Sequence, residues 1–171
     1  EEYFAVGYVA EPRTIYASVR KLPPAHTLVL RRGVTPPAPR EFWDVRFTLD
    51  NRIGFEDAMA ELDRRLQDSI RLRMISEVPL GAFLSGGVDS SAVVAVMARI
   101  SDAPVNTCSI SFDDPAFDET RFAQLVAERY KTRHYVDQVA SDDFGLIDTL
   151  AGLYDEPYAD SSAIPTYRVC Q

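Results

Sequence analysis

Between Gly54 and Ser76, apolar residues return every third or fourth position: Phe55, Met59, Leu62, Leu66, Ile70 and Met74. That spacing puts them on one face of a helix. Glu56, Asp57, Glu61, Asp63, Arg64, Arg65 and Asp68 fill the rest of the surface, so a packing helix is expected. Then the period changes. Val78–Leu84 is an apolar run closed by a Gly-Gly turn, and it reads as a buried strand. Ser90–Ile100 reads as a helix, Val105–Phe112 as a strand, and Asp118–Tyr130 as an amphipathic helix with Phe122, Leu125, Val126 and Tyr130 on one side. A short strand at His134–Val136 and a helix over Asp142–Leu153 follow. Strands alternating with helices predict an α/β fold: a parallel sheet with right-handed crossovers and helices on both faces. Ligands of such sheets bind at the carboxyl ends of the strands.

The pattern is different ahead of residue 54. Gly33-Val34-Thr35-Pro36-Pro37-Ala38-Pro39 resists helix and central strand alike. His26–Arg31 and Glu41–Phe47 flank it, are β-prone, and are expected to pair. They read as a small β-rich piece preceding the main domain, or as a peripheral hairpin of that domain.

One segment carries chemistry. Leu84-Ser85-Gly86-Gly87-Val88-Asp89-Ser90-Ser91 lies between an expected strand and an expected helix, at the strand's carboxyl end. Two glycines let backbone N–H groups approach a ligand and adopt positive φ where needed. The free N–H groups of the following helix and its dipole make an anion nest suited to phosphate. Ser85, Ser90 and Ser91 add hydroxyl donors. Asp89 would repel phosphate unless a hard cation such as Mg²⁺ bridged them. Asp89 or Ser90 is also placed to cap the helix. The competing reading is a tight turn with a helix cap and no ligand. The segment is neither a Walker A loop nor G-x-G-x-x-G, and its flanks do not form the G-x-S-x-G of a serine hydrolase.

Composition narrows the function classes. The 171 residues carry a net charge of −8, which argues against nucleic acid as the main partner. No apolar run approaches the ~18 residues of a membrane span, and no signal peptide is visible. Two cysteines, Cys108 and Cys170, stand far apart, and there are two histidines. A disulfide framework, a structural zinc site and a multi-histidine metal centre are therefore not expected, and the cysteine usage suits a reducing, cytoplasmic location.

Leu84–Ser91 resembles the pyrophosphate loop of ATP-pyrophosphatase enzymes, and its surroundings resemble the asparagine synthetase family. Arg71–Phe83 running into the loop is similar to that family. So are Phe117-Asp118-Glu119 opening a helix, and His134 further on. Asp155-Glu156-Pro157-Tyr158-Ala159-Asp160-Ser161-Ser162-Ala163-Ile164-Pro165 is similar to its D-E-P-x-x-D-x-S-x-I-P segment. Gly7-Tyr8-Val9, Thr14-Ile15-Tyr16 and Lys21-Leu22-Pro23-Pro24-Ala25-His26 look like the end of its glutaminase domain, with Ala25 where the family usually has glycine. The resemblance implies residues 1–46 from a glutaminase domain and 47–171 from the first part of an adenine-nucleotide α-hydrolase-like synthetase domain.

What it implies for the site is specific. Ser85, Gly86, Gly87, Asp89 and Ser90 would hold pyrophosphate, with Asp89 on Mg²⁺. Leu84 and Ile110 match positions whose backbone meets the adenosine of ATP, although core packing would also explain them. Asp155, Glu156, Asp160 and Ser162 would lie near the reacting centre, or else brace a loop. Substrates would be ATP, aspartate or another carboxylate, and glutamine through the glutaminase domain, with room for a homodimer of the full-length protein. The alternatives are a related amidotransferase with a sugar, peptide or β-lactam-precursor acceptor, and a non-catalytic nucleotide-binding module. The family's N-terminal cysteine nucleophile and its S-G-x-G-x-D-E segment do not occur in these residues. The isolated chain is thus expected to be inactive as a glutaminase and impaired as a synthetase.

Overall fold

The computed structural model describes residues 2–49, 52–116, 118–139 and 144–170. The described residues form two compact units. The first comprises residues up to 51 and 147–161, and the second 52–146 and from 162 onward.

The first unit is not the β-rich piece the sequence predicts. It contains a short helix, α1 (Glu2–Val6), and two two-residue strands, β1 (His26–Thr27) and β2 (Arg40–Glu41). These pair antiparallel, His26 opposite Glu41 and Thr27 opposite Arg40. The expected segments meet only at His26 and Glu41, since Arg40 lies just outside the second, and the ladder stops after two residues. Pro36, Pro37 and Pro39 lack donors on the approach to β2. Val29, Leu30, Phe42, Trp43 and Phe47 remain exposed, so no shared apolar face extends the pairing.

The second unit is α/β. Helix α2 (Phe55–Arg73) leads into strand β3 (Gly81–Phe83), helix α3 (Val88–Ile100), strand β4 (Asn106–Phe112), helix α4 (Thr120–Tyr130) and strand β5 (Arg133–Val139). The three strands form a parallel sheet in the order β3-β4-β5, flanked by helices. A 3₁₀ turn (Phe144–Leu146) and helix α5 (Ile147–Leu153) follow, the latter belonging to the first unit, and then α6 (Ala163–Val169). Phe117 and the first two residues of the helix expected from Asp142 lie outside the described residues. β3 is shorter than expected because Pro79 offers no N–H and Val78 is exposed. Helix α6 was not expected, but its Pro165 sits in the first turn, where a missing N–H breaks no helical bond.

Two apolar clusters hold the unit together. Ile70 of α2 packs with Val96 and Met97 of α3 and with Val105, flanked by Leu66 and Met74. The expected apolar face of α2 is buried over this half only. Phe55, Met59 and Leu62 are exposed, because a 19-residue helix runs ~28 Å against ~20 Å for the 13 residues of α3. The second cluster joins Leu84, Val94, Ala123 and Ala127, and so ties the end of β3 to α3 and α4.

Between β4 and β5 lies a small polar cluster. Thr107 is fully buried. Its hydroxyl lies 2.8 Å from that of Thr132 and 2.9 Å from His134 Nδ1. His134 Nε2 is buried without a hydrogen-bond partner among the described residues, and burial holds the imidazole below the ordinary histidine range.

Two outcomes are expected. Gly86 has φ +79°, and a Cβ there would lie 2.5 Å from Phe122 Cβ and 2.7 Å from the Ala123 backbone N. Gly87 has φ −67°, and its Cβ would meet nothing closer than Ser85 Oγ at 3.4 Å. Gly86→Ala should therefore lose at least ~1–2 kcal/mol, the left-handed penalty alone, while Gly87→Ala should stay near the parent in urea unfolding. Equal midpoints for the two variants would contradict this packing. Separately, the unfolded chain binds the His134 proton at 6.5, and the folded chain binds it only at lower pH. His134 thus contributes stability that is complete above 6.5 and is lost as pH falls from there toward its folded value. Urea midpoints should drop between pH 7 and 5.5, and the drop should shrink in His134→Gln.

Candidate functional site

The site begins where β3 ends. Phe83 pairs with Cys108, and one residue later the Leu84 N–H still donates to the Cys108 carbonyl at 2.9 Å. Leu84 is 1% exposed, so the turn is pinned from below. Gly86 then takes the left-handed conformation directly over the first turn of α4. A glycine is needed here because a side chain would run into α4 backbone.

Helix α3 starts at Val88 with Gly87 as its N-cap and no side-chain cap. The expected capping by Asp89 or Ser90 does not occur, because both already lie inside the first turn. Ser90 turns back instead. Its hydroxyl donates to the Gly87 carbonyl (3.2 Å), accepts from the Ser85 N–H (3.3 Å) and lies 3.0 Å from Ser85 Oγ. Ser85 Oγ in turn accepts from the Gly87 N–H at 3.3 Å. The two serines thus lace the loop to the helix start. The Ser91 N–H closes the first helical bond, to Gly87 at 3.0 Å. The N–H groups of Val88, Asp89 and Ser90 are left without helical partners, and the positive end of the dipole sits among them. Asp89 is exposed, and no cluster of three or more metal-ligating side chains occurs among the described residues.

Beside the loop, at the carboxyl ends of β3 and β4, is a cavity of about 280 Å³. Leu84, Ser85 and Ile110 line it together with Cys108, Phe112 and Ser162. Of the residues singled out from sequence, the structure thus brings Leu84, Ser85, Ile110 and Ser162 to one cavity. Gly86, Gly87, Asp89 and Ser90 continue from its edge. Ser162 precedes α6 without a side-chain cap bond to it. Asp155, Glu156 and Asp160 belong to the first unit. There Glu156 accepts a hydrogen bond from Lys21 Nζ at 2.7 Å, and the same ammonium donates to the Val9 carbonyl at 2.7 Å. Tyr158 donates to Asp160 at 3.3 Å and stacks on Tyr154 with ring centroids 4.7 Å apart. Asp155 is exposed.

Sequence reasoning passed over several cavity residues. Cys108 and Phe112 share the alternating face of β4 with Ile110, so the strand period could have found them. Pro165, Thr166 and Val169 of α6 also line the cavity, and their helix left no readable apolar period. Ser109 was missed too. It is 5% exposed on the opposite face of β4, and its hydroxyl donates to the Leu84 carbonyl.

Known proteins are similar to this chain in sequence. A family model described as asparagine synthase matches residues 61–171. A protein of Methanocaldococcus jannaschii, named provisionally as a second glutamine-hydrolysing asparagine synthetase, is 36% identical over 100% of this chain and 33% of its own length. A Mycobacterium tuberculosis protein, also named provisionally as such a synthetase, is 30% identical over 100% of the chain and 26% of its length. Asparagine synthetase [glutamine-hydrolyzing] 1 of Bacillus subtilis is 28% identical over 100% of the chain and 27% of its length. The chain therefore spans a third or less of these relatives. No helix among the described residues is long and apolar enough to cross a membrane. The match over residues 61–171, together with the relatives that align along its whole length, establishes that the chain belongs to the asparagine synthase family.

Proposed function

We propose that the second unit is an ATP site of an AMP-forming amide ligase. One observation carries this reading: a strand–turn–helix with three orphan N–H groups shares its first residues, Leu84 and Ser85, with an apolar cavity at the ends of parallel strands. The orphan N–H groups suit pyrophosphate. The cavity, with Leu84, Ile110 and Phe112 on its walls, suits the flat faces of a planar ring such as adenine. Ser85, Gly86, Gly87 and Ser90 form the anion-binding turn. Gly87 needs no unusual dihedral, so its missing side chain keeps the approach to the turn open.

Asp89 would supply the carboxylate for a Mg²⁺ ion, which usually keeps several waters and takes only one or two carboxylates from the protein. Bound there, the ion would supply charge neutralisation for the leaving pyrophosphate. The chain's own residues then do the following. The loop binds the β- and γ-phosphates, the cavity orients the nucleoside, and the N–H groups stabilise charge that grows on the leaving group.

In the reaction we propose, an aspartate side-chain oxygen bonds to the α-phosphorus of ATP as the bond to pyrophosphate breaks. Ammonia from glutamine then forms the C–N bond, AMP leaves with the C–O electrons, and a proton is lost to give asparagine. Residues 1–46 would be the end of the glutaminase domain that supplies the ammonia, and 47–171 the start of the synthetase domain. A reducing, cytoplasmic setting suits the free thiols of Cys108 and Cys170.

Isothermal titration of this chain with ATP, with and without Mg²⁺, tests the site. Binding should require Mg²⁺ for full affinity, and Asp89→Ala should weaken it by about tenfold or more, ~1.4 kcal/mol. An unchanged Mg²⁺-ATP affinity in that variant would remove Asp89 from the metal. No binding by the parent chain would overturn the ATP reading itself. In the full-length protein, ATP–pyrophosphate exchange stimulated by aspartate but not by other carboxylates would fix the acceptor.

A further inference from the structure

We infer that Ser109 is a positioning residue for nucleotide recognition: its hydroxyl occupies the Leu84 carbonyl and so leaves the Ile110 N–H turned to the cavity. The inference rests on the ATP reading above and goes beyond it, since Ser109, which also lines the cavity, is given a role through the Leu84 carbonyl rather than through contact with the nucleotide.

The register of the sheet leads to it. β3 and β4 pair Ala82 with Thr107 and Phe83 with Cys108. One more step would set Leu84 opposite Ser109. A parallel ladder at that step needs two bonds: Leu84 N–H to the Cys108 carbonyl, and Ile110 N–H to the Leu84 carbonyl. The first is made, at 2.9 Å. The second is not among the described backbone bonds. In its place the Ser109 hydroxyl donates to the Leu84 carbonyl.

The backbone direction of Ile110 follows from alternation along β4. The Cys108 carbonyl points at β3, since it accepts from Leu84. The Val105 carbonyl points at β5, since it accepts from the Arg133 N–H at 2.8 Å. Successive residues alternate, so the Ile110 amide faces the β3 side. By that point β3 has ended, and the space there is the cavity that Leu84, Ser85 and Ile110 line. A buried carbonyl must find a donor. Because Ser109 supplies one, the ladder does not claim the Ile110 N–H, and this donor can read a hydrogen-bond acceptor on the edge of a base. Of the two buried polar residues on this face of β4, Thr107 spends its hydroxyl on Thr132 and His134, and Ser109 reaches the loop.

The test separates base recognition from phosphate recognition. Mg²⁺-ATP and Mg²⁺-tripolyphosphate are titrated into the parent chain, Ser109→Ala and Ser109→Thr, with thermal midpoints recorded alongside. In Ser109→Ala the Leu84 carbonyl should take the Ile110 N–H. Affinity for ATP should then fall about tenfold, the scale of one lost hydrogen bond, while tripolyphosphate affinity holds within about twofold. Ser109→Thr, which keeps the hydroxyl, should retain ATP affinity. Equal losses for both ligands, or no loss for either, would overturn the inference while leaving the ATP site standing. If the parent chain fails to bind either ligand, the ATP reading falls and this inference with it. Should circular dichroism show Ser109→Ala unfolded, Ser109→Cys, isosteric and a weak donor, enters the same comparison with the same expected split.

Discussion

The close approach of the β3–α3 turn to helix α4 is the contact on which the second unit is arranged. Gly86 lies so near the α4 backbone that a single methyl would overlap the Ala123 amide. Contact at that range is possible only with a positive φ and no side chain. Once made, it fixes three things together. Leu84 is driven into the cluster with Val94, Ala123 and Ala127. The first turn of α3 starts at Val88 with its orphan N–H groups beyond the end of the sheet. The Ser85–Ser90 pairing closes the turn from above. A loop braced on all these sides would have little to rearrange under the anion-binding role proposed for it, as a preorganised site requires.

That local electrostatics runs against the chain as a whole. A net charge of −8 disfavours the approach of a triphosphate, but beyond a Debye length of ~8 Å at physiological salt the field of exposed carboxylates is largely screened. Within that range the loop offers N–H dipoles and one carboxylate, Asp89. This carboxylate is favourable at a helix N-terminus and unfavourable beside phosphate. In the proposed ATP site a divalent cation held by Asp89 would reconcile the two demands.

Where structure follows local chemistry, the sequence was legible. The helix over Phe55–Arg73, the βαβαβ order and the glycine turn at the carboxyl end of β3 were all readable from period and turn residues. The family resemblance seen in Arg71–Ser91 and Asp155–Pro165 agrees with the asparagine synthase match over 61–171. What failed depended on tertiary context. The pairing of residues 26–31 with 41–47 shrank to two residues, since no packing face rewarded a longer one. The apolar face of α2 was half exposed because its length outran its partner's. The cap of α3 was misplaced by two or three residues, Gly87 standing where Asp89 or Ser90 was expected, as helix boundaries commonly shift when several capping residues compete. Ser109 stayed invisible because a serine in a β-prone run carries no sign of which carbonyl it will meet.

Glu156 shows how the same limit bears on chemistry. From sequence, an acidic pair before proline and a following Asp160 could serve substrate or brace a loop. In the first unit the Glu156 carboxylate is engaged by Lys21 across 135 positions of chain. The ammonium also holds the Val9 carbonyl, and both charged side chains are less than a third exposed. Partly buried pairs of this kind add little net stability, because desolvation offsets the Coulomb attraction. They do fix geometry, since either charge left alone would be costly. The Ala159 N–H to Gly7 carbonyl bond, at 3.3 Å, adds a second tie between the same two segments. Residues 147–161 are thereby fastened to the N-terminal segment by a side-chain and a backbone contact. Glu156, already spent on Lys21, is less suited to meeting a substrate than the exposed Asp155 next to it.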